Sequence, residues 1–162
     1  LAGILYYLGL ISSNRIIETS ALELTGEFIG QTKTKVAAKL QEAKGGILFI
    51  DEAYNLGSGN YGKEACDTLV GAMTSDDYQD LVIILAGYKV EMNRMLETNS
   101  GLRSRFTNFI SFLNWDAMDC GKFFDDLANK HGISISKESV DQVSISCKAL
   151  MDCPGWANGR DV

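Results

Sequence analysis

Two adjacent acids, Asp51 and Glu52, follow the apolar run Ile47-Leu48-Phe49-Ile50. Four buried apolar residues put both carboxylates at the C-terminal edge of a parallel strand, the edge where open α/β sheets bind ligands. There Asp51 can hold Mg²⁺ directly or through water. Glu52 can orient and deprotonate a water for attack on a γ-phosphate. The plainer alternative is a strand that ends in two solvated acids.

Three further groups are weaker alone. Leu102-Arg103-Ser104-Arg105-Phe106 either ends a helix with two surface arginines, favourable to its dipole, or projects an arginine across a subunit boundary toward a neighbour's nucleotide. Asn158-Gly159-Arg160 reads as a capping turn with an exposed Arg, or as an Arg carried onto a nucleotide. Phe28-Ile29-Gly30 either staples the following helix or presents an aromatic that grips a polypeptide. A fourth group is a decoy. Gly57-Ser58-Gly59-Asn60-Tyr61-Gly62-Lys63 satisfies GxGxxG and most of a phosphate loop, but Glu64 stands where a Ser or Thr hydroxyl would meet Mg²⁺.

The elements that must position these residues are legible in the pattern. Short strands are expected at residues 15–19, 46–51, 81–86 and 106–112. A loop or short helix is expected at 21–30, a glycine loop at 57–62, and helices at 32–43, 64–73, 90–97, 115–131 and 137–151. Strands apolar on both faces that alternate with helices indicate a parallel sheet covered on both sides. The last ~45 residues read as helical only, a small subdomain after an α/β core.

Composition limits the classes. The chain has 162 residues, 46% of them hydrophobic, with 15 Lys+Arg against 21 Asp+Glu and a net charge of −6. No basic stripe marks a general nucleic-acid surface, and no apolar run approaches the ~20 residues of a membrane span. The four cysteines, Cys66, Cys120, Cys147 and Cys153, are scattered and read as buried hydrophobes of a reducing, intracellular compartment. Zinc ligation is not indicated, because the one histidine, His131, sits near no Cys pair and is expected at a helix end before Gly132. The chain opens on Leu1 within an apolar helical pattern and closes at 158–162 in what reads as a helix start, so a fragment of a longer protein is expected.

Taken in order, the motifs resemble the CbbX-like family of AAA+ ATPases, related to stage V sporulation protein K and including the red-type Rubisco activases. The segments that carry the resemblance are Gly26-Glu27-Phe28-Ile29-Gly30-Gln31-Thr32, Gly46-Ile47-Leu48-Phe49-Ile50-Asp51-Glu52-Ala53-Tyr54, Leu85-Ala86-Gly87-Tyr88-Lys89 and Gly101-Leu102-Arg103-Ser104-Arg105-Phe106. The resemblance implies a P-loop-type parallel sheet flanked by helices in an α/β core, residues 1–113, followed by the start of a helical lid, residues 114–162. It implies that Asp51 and Glu52 are the Walker B pair, with Asp51 on Mg²⁺. Phe28, with Ile29 and Gly30, is then the pore-loop grip. Arg105 is the arginine finger, with Arg103 as its neighbour or substitute, and Arg160 is the sensor-2 arginine. Tyr88-Lys89 falls at the sensor-1 position, which is usually polar and often Asn, and Lys89 is the nucleotide-contacting candidate there.

The resemblance also implies ATP and Mg²⁺ as cofactors, a homo-oligomeric ring (a hexamer), and a protein client pulled through its pore. Family members carry a Walker A loop just before the helix that begins this chain, and the strand before that loop lies between the strands expected at 81–86 and 106–112. Both fall upstream of Leu1, so the segment alone is expected to be inactive and to expose two apolar edges. The rival reading is a non-hydrolysing AAA+-like scaffold or regulatory module. A helicase or DNA-associated ATPase is disfavoured by the acidic balance.

Overall fold

The computed structural model describes residues 1–26, 28 and 30–162. Two compact units divide it, Leu1–Phe109 and Ile110–Val162.

In the first unit three strands, β1 (Ile16–Ser20), β2 (Ile47–Asp51) and β3 (Val82–Leu85), form one parallel sheet in the order β1-β2-β3. The register aligns Ile17, Leu48 and Ile83 across the sheet, and also Thr19, Ile50 and Leu85. Alternation along each strand therefore sends these six side chains to one face. That face meets α3 (Gln31–Ala43) and α4 (Gly59–Ala72). Their buried residues repeat at helical spacing: Thr32, Val36, Leu40 and Ala43 on α3, and Gly62, Ala65, Cys66, Leu69 and Ala72 on α4. The opposite face is thinner, with Ile47, Val82 and Ile84 packed against Ala2, Leu5 and Ile11 around α1 (Ala2–Tyr7). The unit is completed by α2 (Ala21–Leu24), α5 (Lys89–Thr98) and α6 (Ser100–Arg105).

Two expectations are corrected. Residues 106–112 form no strand. A strand exists by pairing its N–H and C=O groups, and among the described residues β3 has a partner on one edge only. Phe109, Ile110 and Phe112 stand in solvent instead. The second correction is the glycine loop. Residues Ala53–Gly57 make a 3-10 turn and α4 already begins at Gly59, so most of the decoy motif is helix. Gly62 is used for packing: a Cβ there would stand 2.4 Å from the Leu56 carbonyl oxygen.

The second unit is a helical hairpin of α7 (Ala117–Lys130) and α8 (Lys137–Leu150). Asp116 and Asp119 form a reciprocal capping box that starts α7. The Trp115 ring stacks at a tilt on Phe123, with centroids 4.9 Å apart. Its backbone N–H donates to Asn158 Oδ1 (2.9 Å), which ties the end of the chain to the start of α7.

Candidate active site

Asp51 is the last residue of β2, the middle strand, and its neighbour at the C-terminal rim is Ser20 of β1. Both Asp51 and Glu52 are exposed there. Glu52 leaves the strand at φ 48°, ψ 37°, a left-handed conformation that costs a non-glycine residue roughly 1–2 kcal/mol. The turn is held on several sides. Asp51 Oδ1 accepts from the Glu52 backbone N–H (2.8 Å). The Ala53 N–H donates to the Ala86 carbonyl just beyond β3, and the Ala86 N–H donates to the Ile50 carbonyl, both at 2.9 Å. The Asn55 N–H donates to the Glu52 carbonyl (3.0 Å). The sharp turn takes Glu52 out of the ladder directly after Asp51, at the C-terminal rim of the sheet.

Beside them lies an aromatic pair that sequence reasoning did not assign. The Tyr54 and Tyr88 rings are 6.0 Å apart and tilted by 30°. Tyr54 lies over the backbone of Gly87, where a Cβ would come within 2.7 Å of Tyr54 Cδ1 and 2.9 Å of Met92 Sδ. Partial desolvation pushes the Tyr54 phenol above its ordinary value, and the Glu52 charge, Tyr88, a hydrogen bond with Glu52, and Glu91 add to the rise. The available signal was a tyrosine two residues after the acids and another at the end of the next apolar strand.

The remaining candidates fall at several places. Lys89 opens α5, one residue after Tyr88, and so shares the rim with the acids. Arg103 and Arg105 sit in the last turn of α6, whose Leu102 is fully buried. Arg105 is half-buried and donates to the Gly101 carbonyl (3.1 Å), while Arg103 is exposed. Phe28 is 66% exposed, and Gly30 caps α3 at φ 83°. Ile29, expected as part of the same grip, lies outside the described residues. Arg160 is exposed at the end of the turn Asn158–Arg160 in the second unit. Gly159 of that turn packs flat on the Trp115 indole, where a Cβ would stand 2.7 Å away.

Asp51 suits a magnesium ion. One carboxylate oxygen is used by the Glu52 N–H, and the side chain is open to solvent. Among the described residues no group of three or more His, Cys, Asp or Glu forms a protein cage. Mg²⁺ in phosphate sites is held this way, by one or two carboxylates with water and phosphate oxygens supplying the rest. Among the described residues no helix is long and apolar enough to cross a membrane.

Comparison with known proteins agrees with this architecture. The profile of the ATPase family associated with various cellular activities (AAA) matches residues 5–113. The chain is 35% identical to the protein CfxQ homolog of Galdieria sulphuraria over 100% of its own length and 54% of the relative's. It is 37% identical to stage V sporulation protein K of Bacillus subtilis, covering 100% of this chain and 52% of that protein. It is 36% identical to the ESX-1 secretion system protein EccA1 of Mycobacterium tuberculosis, covering 92% of this chain and 27% of that protein. The chain therefore spans about half the length of the first two relatives and about a quarter of the third. With a parallel α/β sheet, two acids at its rim and this likeness along its whole length, the chain belongs to the AAA family of ATPases, in the branch of CbbX and stage V sporulation protein K.

Proposed function

We propose that this chain supplies the hydrolytic half of an ATPase site in a longer protein, and that hydrolysis drives remodelling of a protein client through a ring pore. The observation that carries the reading is the pair Asp51 and Glu52 held at the C-terminal rim of the middle strand. In this reading the first unit is the partial α/β core and the second is the partial lid.

Asp51 would hold Mg²⁺, which supplies charge neutralisation on the phosphates when bound. Glu52 orients a water and takes its proton as that water attacks the γ-phosphate. Arg105, with Arg103 beside it, faces the nucleotide of a neighbouring subunit and stabilises charge on the transferred group. Lys89 contacts the nucleotide, and the family resemblance makes Arg160 the sensor-2 arginine. Phe28, at the N-terminal end of α3 and exposed, grips the client, and the family resemblance assigns Ile29 and Gly30 to the same grip. An arginine that serves a neighbour's site calls for a homo-oligomeric ring, and the family resemblance makes that ring a hexamer. The reducing interior of a cell suits four free thiols.

The test is ATP turnover by the intact protein. Glu52→Gln is expected to lower kcat by ~10²–10⁴-fold while ATP still binds. Turnover by Glu52→Gln at the unmutated rate sinks the reading. One observation favours a non-hydrolysing scaffold: Tyr88 occupies a position where a polar residue is usual in the family. The same assay decides, because a scaffold shows no turnover before mutation.

A further inference from the structure

We propose that Thr32 is a positioning residue for Phe28: its buried hydroxyl, helped by the Lys35 ammonium, clasps the chain ahead of Phe28 onto the first turns of α3. The inference rests on the reading of Phe28 as the residue that grips the client.

An aromatic that grips a polypeptide presents a mechanical problem. Phe28 is 66% exposed, so packing in the core does not hold its ring. Its position has to come from the backbone that carries it. A loose backbone pays an ordering cost each time a client is bound, and a loop held beforehand in its working conformation avoids that cost.

Three hydrogen bonds tie this backbone to α3. The Gly26 N–H donates to Thr32 Oγ1 (2.9 Å), with both residues buried. Lys35 Nζ donates to the Thr25 carbonyl (2.8 Å). The Gln31 N–H donates to the Phe28 carbonyl (3.2 Å). The chain is thus held at Thr25, at Gly26 and at Phe28 itself. The support is firm, because Val36, Leu40 and Ala43 of α3 are buried in the main core. The approach is also close: a Cβ on Gly26 would stand 2.5 Å from Gln31 Cβ and 3.0 Å from the Thr32 backbone nitrogen. Thr32 is fully buried, a place where valine would fill the same volume. What the hydroxyl adds is an acceptor for a buried N–H that would otherwise lack one.

The experiment measures binding of fluorescein-labelled casein, an unfolded polypeptide, to the intact protein with a non-hydrolysable ATP analogue. Anisotropy reads affinity, and hydrogen exchange reads the segment around Gly26. The variants are Phe28→Ala, Thr32→Val, Thr32→Ser and Lys35→Met. Thr32→Val keeps the shape and removes the hydroxyl. It is expected to weaken casein binding about fivefold, the factor carried by one hydrogen bond, and to speed exchange around Gly26 while β2 and α4 exchange as before. Thr32→Ser restores the hydroxyl and is expected to restore both readings. Lys35→Met, a change at an exposed position, is expected to weaken binding by a smaller factor. If Thr32→Val binds at the unmutated affinity while Phe28→Ala loses casein, the positioning role is overturned and the grip stands. If Thr32→Ser is as weak as Thr32→Val, or if exchange in Thr32→Val rises across the whole first unit, the hydroxyl is not a local clasp and the proposal is overturned. No binding by the unmutated protein, or full binding by Phe28→Ala, overturns the grip itself and the role of Thr32 with it. If Thr32→Val fails to fold, Lys35→Met decides: an unchanged affinity there overturns the proposal.

Discussion

At the scale of single residues, the same type does different work according to what stands opposite. Gly62 belongs by sequence to a glycine-rich pattern that Glu64 marks as a phosphate-loop decoy, but nothing local says what the glycine is for. Its place is set by a nonlocal fact, the close approach of α4 to the Leu56 carbonyl. Gly62→Ala forces a methyl against backbone that cannot swing aside, and is expected to destabilise the first unit by about 1–3 kcal/mol, read as a lowered midpoint in urea unfolding. Cys66 is a second case. It was legible as a buried hydrophobe, and burial pushes its thiol from 9.0 up to about 11. The unfolded chain therefore loses this proton first as pH rises. Stability from Cys66 is complete below pH 9 and is lost as pH climbs from about 9 through 11. Cys120, raised by burial and by its neighbour Cys147, adds in the same direction. Chemical unfolding at pH 8 and pH 10 is expected to show this decline, and Cys66→Ala is expected to make it shallower. An unchanged slope would show that the thiol is not held away from water.

At the scale of elements, legibility follows locality. The helix over α3 and the strands β1 to β3 are written in short periodic patterns, and their register follows once the sheet is parallel. The Asp51-Glu52 pair was readable for the same reason, since an apolar run fixes where its acids emerge. Residues 106–112 alternate like a strand and are not one, because a strand depends on a partner that its own sequence does not encode. The Tyr54–Tyr88 contact was unreadable for a related reason: it joins residues 34 positions apart through the spacing of two strands. α6 is six residues long and depends on its ends. The Asn99 side chain accepts from the Leu102 N–H (3.0 Å) and the fully buried Leu102 anchors its middle. Asn99→Ala is expected to cost about 1 kcal/mol of stability. It is also expected to lower ATP turnover by the intact protein beyond that loss, because Arg103 and Arg105 hang from the last turn of this helix. Normal turnover in a folded Asn99→Ala protein would separate α6 from the site.

At the scale of the molecule, the sheet's two faces are unequally covered, and that inequality has consequences in solution. One face is sealed by α3 and α4 with residues such as Val36, Leu48 and Leu69 fully buried. The other is met by the short α1, and apolar side chains around that helix remain in water: Ile4, Tyr7, Leu8 and Leu10 are each more than half exposed. Contiguous apolar surface with an unpaired strand edge beside it favours association with another chain. The segment 1–162 produced by itself is therefore expected to self-associate as concentration rises, with light scattering as the measurement. Tyr7→Ser combined with Leu8→Lys, two changes at exposed positions outside the sheet core, is expected to lower that association without lowering the melting temperature. The same preparation is expected to show no ATP turnover, since residues 57–63, its nearest approach to a phosphate loop, are spent on a 3-10 turn and the first turns of α4. A monodisperse segment at high concentration would mean that α1 and its flanks are covered in solution. Turnover that Glu52→Gln abolishes would mean that a phosphate cradle exists within these 162 residues after all.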